Sequence, residues 1–153
     1  MANQELNCFQ INLQHSRTAT SNLVQLINQH RIDVAFVQEP YTIRNQLAGI
    51  PKTFRTYTYG NDRSRTAIII SNNCWCHNNN PNCIAIDIKY NGKTLYGASM
   101  YFDSNEDIEG DLQKMENMLH YTNGNSLLIL ADTNQGDRKI GRSRETWRRS
   151  VNK

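Results

Sequence analysis

Glu39, Asp132, Asn12 and Asn134 all lie at or just past the end of a short apolar run, and this is where chemistry could be organised. LLIL at 127–130 leads into Ala131-Asp132-Thr133-Asn134. The run IDVAFV at 32–37 leads into Gln38-Glu39-Pro40, CFQINL at 8–13 has Asn12 at its end, and KTLYGASMYF brings Tyr101 next to its own end. A short apolar run bounded by polar turn formers reads as a covered strand, and the C-terminal ends of such strands are where open α/β sheets hold their ligands. Each residue alone is what a turn asks for after a strand. Together they offer two carboxylates, two amides and a phenol at four strand ends, with Asp132 and Asn134 two apart and so pointing the same way. A competing set, Cys74, Cys76, His77 and Cys83 in CWCHNNNPNC, has the ligand types of a tetrahedral zinc site, although C-x-C-H lacks the C-x2-C spacing of zinc knuckles.

The elements that would carry these side chains follow from periodicity. CFQINL alternates as a first strand. Ser16, Thr18 or Thr20 can cap the helix that Leu23, Leu26, Ile27 and His30 space out, and Ile32 to Val37 is a second, buried strand ended by Pro40. Strand, helix and strand in so few residues imply a parallel crossover. TAIIIS at 66–71 is another covered strand. Cys83 to Ile88 alternates into Asn91-Gly92, a strong hairpin signal, and KTLYGASMYF is the return strand. Glu106 to Tyr121 reads as a helix with Ile108, Leu112, Met115 and Leu119 on one face and acids near its start, and LLILAD follows it. The NNNPN stretch around Pro81 reads as a loop, and no internal repeat is present.

Composition bounds the function classes. A chain of 153 residues is one domain at most, and 38% hydrophobic content with mean hydropathy -0.69 describes a soluble chain with polar loops. MANQELNCFQ has no signal-peptide layout, and no window approaches the roughly 18 uncharged apolar residues of a membrane span, so the expected location is intracellular, with reduced cysteines and no membrane partner. The net charge of +3 hides an asymmetry. Residues 135–153 carry seven basic side chains against Asp137 and Glu145, a net of +5, which leaves -2 for the rest. Such a basic tail is read as poorly ordered and able to attract phosphate backbones.

INLQHSR, FVQEPY, YGASMYF and LLILADTN, in this order and at about these separations, resemble the endonuclease/exonuclease/phosphatase family, specifically the apurinic-like endonuclease domain of non-long-terminal-repeat retrotransposons. The resemblance runs nearly to Asn134, which divides the chain into a partial domain at 1–134 and the tail at 135–153. It implies an α/β fold, the N-terminal part of the two-sheet sandwich of the DNase I-like proteins. It also implies a site in which Glu39 binds Mg²⁺ or Mn²⁺, Asn12 helps to hold that site, and Asp132 positions or deprotonates the attacking water. Asn134 would donate to the phosphoryl oxygens and Tyr101 would lie against the scissile phosphate, with Arg17 and Arg65 as phosphate contacts. The set suits phosphodiester hydrolysis, which needs charge neutralisation, an oriented nucleophile and fixed donors.

The implied partners are DNA and, in the parent element, a reverse transcriptase domain on the same polyprotein, with a nuclear location for a functional element. The chain departs from the family after Asn134. His15, His30, His77 and His120 all precede Asp132, and the late Ser-Asp-His block of the family is not present. Truncation before that block is therefore expected, and two readings follow: a metal-dependent DNA-nicking domain, or a catalytically inactive remnant that at most binds nucleic acid through its basic tail. A zinc-binding module is the weaker third.

Overall fold

Alternation sets the first strand. In β1 (Cys8–Asn12), Cys8, Gln10 and Asn12 share one face, and Phe9 and Ile11 share the other. The computed structural model describes residues 6–59, 64–71, 75–80, 83–90, 92–103 and 107–133. Within them β1 is followed by α1 (Arg17–His30), β2 (Val34–Gln38), the short pair β3 (Thr42–Ile43) and β4 (Gln46–Leu47), β5 (Arg55–Thr58) and β6 (Thr66–Ile70). Then come β7 (Trp75–Asn80), β8 (Cys83–Tyr90), β9 (Lys93–Phe102), α2 (Ile108–Thr122) and β10 (Ser126–Thr133). Asn134 and the 135–153 tail lie outside the described residues, as does Cys74.

Two four-stranded sheets form, ordered β1-β2-β6-β5 and β10-β9-β8-β7. The expected parallel crossover is present: β1 and β2 pair in parallel around α1, and β9 and β10 repeat the arrangement around α2. The remaining neighbours are antiparallel. Ser16 is the residue that caps α1, its side chain accepting from the Ala19 amide at 3.2 Å, while Thr20 falls inside the helix and bonds back to the Ser16 carbonyl. The hairpin also forms as read, with Tyr90 opposite Lys93 and Gly92 at φ +73.

The sheets face each other across an apolar layer of Val34, Phe36, Ile68, Ile70, Ile84, Ile86 and Ile88, joined by Leu95, Leu128 and Leu130. Gly97 is required there, because a Cβ at that position would lie 2.8 Å from Phe36 Cζ. A second cluster of Leu13, Leu23, Ile27, Ala35, Val37, Ala67 and Ile69 seals α1 to the outer side of the first sheet. Burial on both faces explains why VAFVQ and TAIII read as continuous apolar runs.

Three expectations are corrected. Of the NNNPN stretch read as a loop, residues 78–80 belong to a strand, β7, because antiparallel pairing with β8 supplies the ladder that the weak β-propensity of asparagine does not; Pro81 and Asn82 lie outside the described residues. β5 forms by the same kind of pairing, against β6. The apolar face of α2 is not turned inward: Ile108, Leu112 and Leu119 are 64%, 49% and 58% exposed, while Asp111 and Thr122 are buried. Asp111 is satisfied by Lys114 at 2.8 Å, and Met118 meets Cys83 at 3.7 Å. β10 is an edge strand among the described residues, with Leu127 to Leu130 only half-buried.

Candidate active site at the strand ends

Inward-facing residues become polar toward one end of the sandwich. On β1 the order is Cys8, Gln10, Asn12; on β2 it is Val34, Phe36, Gln38; on β9 it is Leu95, Gly97, Ser99, Tyr101; on β10 it is Leu128, Leu130, Asp132. The strands of each parallel pair run the same way, so each delivers its polar end to one edge of the inter-sheet layer. Register then decides which side chains are neighbours. Asn12 is opposite Gln38 in the first sheet, and Asp132 is opposite Tyr101 in the second.

Two hydrogen bonds close the gap between the sheets. Asn12 Nδ2 donates to Asp132 Oδ2, and Tyr101 Oη donates to Glu39 Oε1 at 3.0 Å. The Gln14 amide donates to Asn12 Oδ1 at 2.8 Å, which fixes the orientation of the carboxamide and leaves a second lone pair on that oxygen. Four of the five strand-end residues expected to act together, Asn12, Glu39, Tyr101 and Asp132, are thus brought into one cluster. Asn134 cannot be placed, being outside the described residues.

Glu39 reaches this cluster through an unusual backbone. Gln38 already faces the second sheet, so regular alternation would turn Glu39 toward the opposite side. A φ of +46 at Glu39 re-aims the side chain, and the conformation is held by its amide donating to the Arg65 carbonyl and its carbonyl accepting from the His15 amide, both at 2.8 Å. Among described non-glycine residues with positive φ, Arg31 and Asn123 close helices, and Arg44 and Asn45 turn the β3–β4 hairpin. The remaining three, Gln14, His15 and Glu39, all stand at this site. Residues held in left-handed conformations cluster where function requires a fixed direction.

Arg65 lies beside the cluster with its guanidinium 4.9 Å from the centre of the Tyr101 ring and 3.1 Å from Asp103 Oδ2. It is 39% exposed, so charge remains open to solvent at the rim. Arg17 opens α1 and is exposed, taking no part in these hydrogen bonds. His15 was not singled out from the sequence, yet its Nδ1 sits 3.0 Å from the Pro40 carbonyl and ties the turn after β1 to the turn after β2. Gln10, Gln38 and Ser99 likewise carry no role in the reading of the sequence. The available signal was a polar residue breaking an otherwise apolar inward row, as Gln38 does in VAFVQ.

The donor set fits a hard divalent cation. Mg²⁺ takes one or two carboxylates together with waters and phosphate oxygens, and two carboxylates and an amide oxygen are present. Among the described residues no three His, Cys, Asp or Glu side chains converge, so a cation here would be shared with water and substrate. Of the zinc set, Cys74 lies outside the described residues, and the strand register separates Cys76 from Cys83. Cys83 is opposite Asn80 while Cys76 is opposite Ile86, several residues along the ladder. Burial pushes the Cys83 thiol up to about 11, partly offset by Lys114, which opposes the thiolate that zinc requires.

Comparison with solved structures identifies the architecture. The endonuclease domain of TRAS1, a telomere-specific non-LTR retrotransposon, superposes with a TM-score of 0.73 at 19% identity, over 86% of this chain and 60% of that one. The chain has the endonuclease/exonuclease/phosphatase fold. An endonuclease/exonuclease/phosphatase family protein from Leptotrichia buccalis C-1013-b matches with a TM-score of 0.59 at 13% identity, over 83% of this chain and 66% of that one. TDP2 from Caenorhabditis elegans matches with a TM-score of 0.62 at 15% identity, over 93% of this chain and 51% of that one. The chain spans about half to two thirds of the length of these neighbours. No family model and no curated protein matches the sequence. No helix among the described residues is long and apolar enough to cross a membrane.

Proposed function

We propose that the chain is the greater part of a metal-dependent DNA-nicking endonuclease domain of the non-LTR retrotransposon type, acting by phosphodiester hydrolysis. The observation that carries this reading is the pairing of Asn12 with Asp132 and of Tyr101 with Glu39 across the two sheets, within a fold shared with the TRAS1 endonuclease domain. Glu39 would hold Mg²⁺ or Mn²⁺, with the free lone pair of Asn12 Oδ1 as a second donor. When bound, the cation supplies neutralisation of the charge that develops on the phosphoryl oxygens.

The protein residues do the remaining work. Asp132, oriented by the Asn12 amide, accepts the proton of the attacking water. Tyr101 lies at the substrate side of the pocket, its hydroxyl held by Glu39 and its ring beneath the Arg65 guanidinium. Arg65 and Arg17 meet the DNA backbone, and Asn134 adds a donor to the phosphoryl group. In the parent element the same polyprotein would carry a reverse transcriptase domain, and the place of action would be the nucleus.

A second reading is favoured by the net charge of +5 on residues 135–153: on it the chain is an inactive remnant that binds nucleic acid through that segment. Supercoiled-plasmid nicking separates the two. Mg²⁺- or Mn²⁺-dependent nicking by the native sequence, abolished in Glu39→Ala, supports the nuclease. Salt-sensitive DNA binding without nicking, retained in Glu39→Ala and lost when the residues after Gly136 are deleted, supports the remnant.

A further inference from the structure

Immediately beneath the site lies a layer of buried amides and hydroxyls that the reaction itself does not use. Gln38 and Ser99 are fully buried. Gln38 Nε2 donates to Ser99 Oγ at 3.1 Å and to the Leu130 carbonyl at 3.4 Å, and its Oε1 accepts from Gln10 Nε2 at 3.4 Å. Gln10 Nε2 also donates to the Ala131 carbonyl at 2.9 Å, and Ser99 Oγ donates to the Val37 carbonyl at 3.4 Å. Each amide has one orientation that satisfies these partners, since a flip would set oxygen against the Leu130 or Ala131 carbonyl.

The position of the layer is informative. Gln38 directly precedes Glu39, Ala131 directly precedes Asp132, Ser99 is two residues before Tyr101 and Gln10 two before Asn12. Every bond from Gln38 to Ser99 or Leu130, and from Gln10 to Ala131, crosses from the first sheet to the second. Apolar packing between sheets is non-directional and leaves their lateral offset loosely set, whereas hydrogen bonds have a fixed length and direction. We propose that Gln38, with Gln10 and Ser99, forms a positioning layer that sets the spacing between Glu39 on the first sheet and Tyr101 and Asp132 on the second. The proposal rests on the cation-holding reading of Glu39. These are positioning residues, since none of them needs to touch cation or substrate.

Thr66 provides an internal control. It is opposite Gln38 on β6, is fully buried, and its hydroxyl has no partner among the described residues. Removing it alters the same depth of the same layer without breaking a bond.

The test is Mn²⁺ affinity, read by electron paramagnetic resonance titration of the metal alone into the full chain, with thermal unfolding recorded alongside. Gln38→Met and Ser99→Ala are each expected to weaken Mn²⁺ binding by about three- to tenfold, the equivalent of a lost hydrogen bond. The double variant is expected to be no weaker than Gln38→Met, because both changes break one network. Thr66→Val is expected to bind Mn²⁺ as the native sequence does. Ser99→Ala removes a single oxygen and keeps the test valid if Gln38→Met does not fold. Unchanged affinity in a folded Ser99→Ala or Gln38→Met chain overturns the proposal while leaving the cation site standing, and so does an equal loss in Thr66→Val. Absence of saturable Mn²⁺ binding in the native sequence overturns the cation reading and this proposal with it.

Discussion

The two ends of the inter-sheet layer are built from the same strands and do opposite things. At one end Phe36, Ile68, Ile70, Ile86 and Ile88 fill the space with apolar volume, and Gly97 makes room for the Phe36 ring. At the other end the same inward-facing rows finish in Gln10 and Asn12, in Gln38, in Ser99 and Tyr101, and in Asp132. Burial of apolar area stabilises the first end at roughly 25 cal/mol per Å². The second end gains little from burial, because each polar group must be matched by a partner to offset its desolvation. The lesson is a division of labour along the strand: the apolar end holds the sheets together, and the polar end converts that adhesion into a fixed arrangement of carboxylates, amide and phenol.

Substitutions at the two ends should therefore separate activity from stability. The largest effect belongs to the polar end, where Glu39→Ala is expected to lower nicking by on the order of 10⁴-fold with little change in thermal midpoint, measured by plasmid relaxation and calorimetry. At the apolar end Phe36→Ala is expected to cost about 3 to 5 kcal/mol in urea unfolding, because Phe36 is fully buried between the sheets. Gly97→Ala is expected to cost about 1 to 3 kcal/mol through the 2.8 Å clash with Phe36 Cζ, and Phe36→Leu in the same chain should recover part of it. A double-mutant cycle showing additivity would contradict that contact. The smallest effect is Thr66→Val, expected to be neutral or to stabilise by up to about 1 kcal/mol, since it removes a buried hydroxyl without a partner.

A further check uses Cys83 on the outer side of the second sheet. Burial raises its thiol to about 11, so the thiol stays protonated in the folded chain at pH 8. Its contribution to stability is complete below the ordinary thiol range and is lost as pH climbs toward 11. Alkylation mapped by peptide mass spectrometry should find Cys83 slow at pH 8 in the folded chain and fast in urea.

Much of this was legible in the sequence because apolar runs ending in polar residues are a local signal. VAFVQEP and LLILAD name both the strands and the residues at their ends, and Asn91-Gly92 names its hairpin. What could not be read was long-range. The left-handed turn at Glu39 depends on the Arg65 and His15 backbones, and β7 exists as a strand because β8 is there to pair with it. The spacing of Ile108, Leu112 and Leu119 describes an amphipathic helix correctly, yet the described residues leave that face uncovered. The role of Gln38 was hidden for the same reason, since its partners are 61 and 92 residues away.

The central claim is that one edge of the sandwich gathers Asn12, Glu39, Tyr101 and Asp132 into a single cation pocket. Paramagnetic broadening of backbone resonances by substoichiometric Mn²⁺ tests it most directly. The account predicts broadening confined to these four residues and their neighbours Gln38 and Ser99, sparing Phe36, Ile86 and Ile88 at the opposite end. Broadening centred on β7 and Cys83, or spread evenly over the exposed acids of α2, would contradict it.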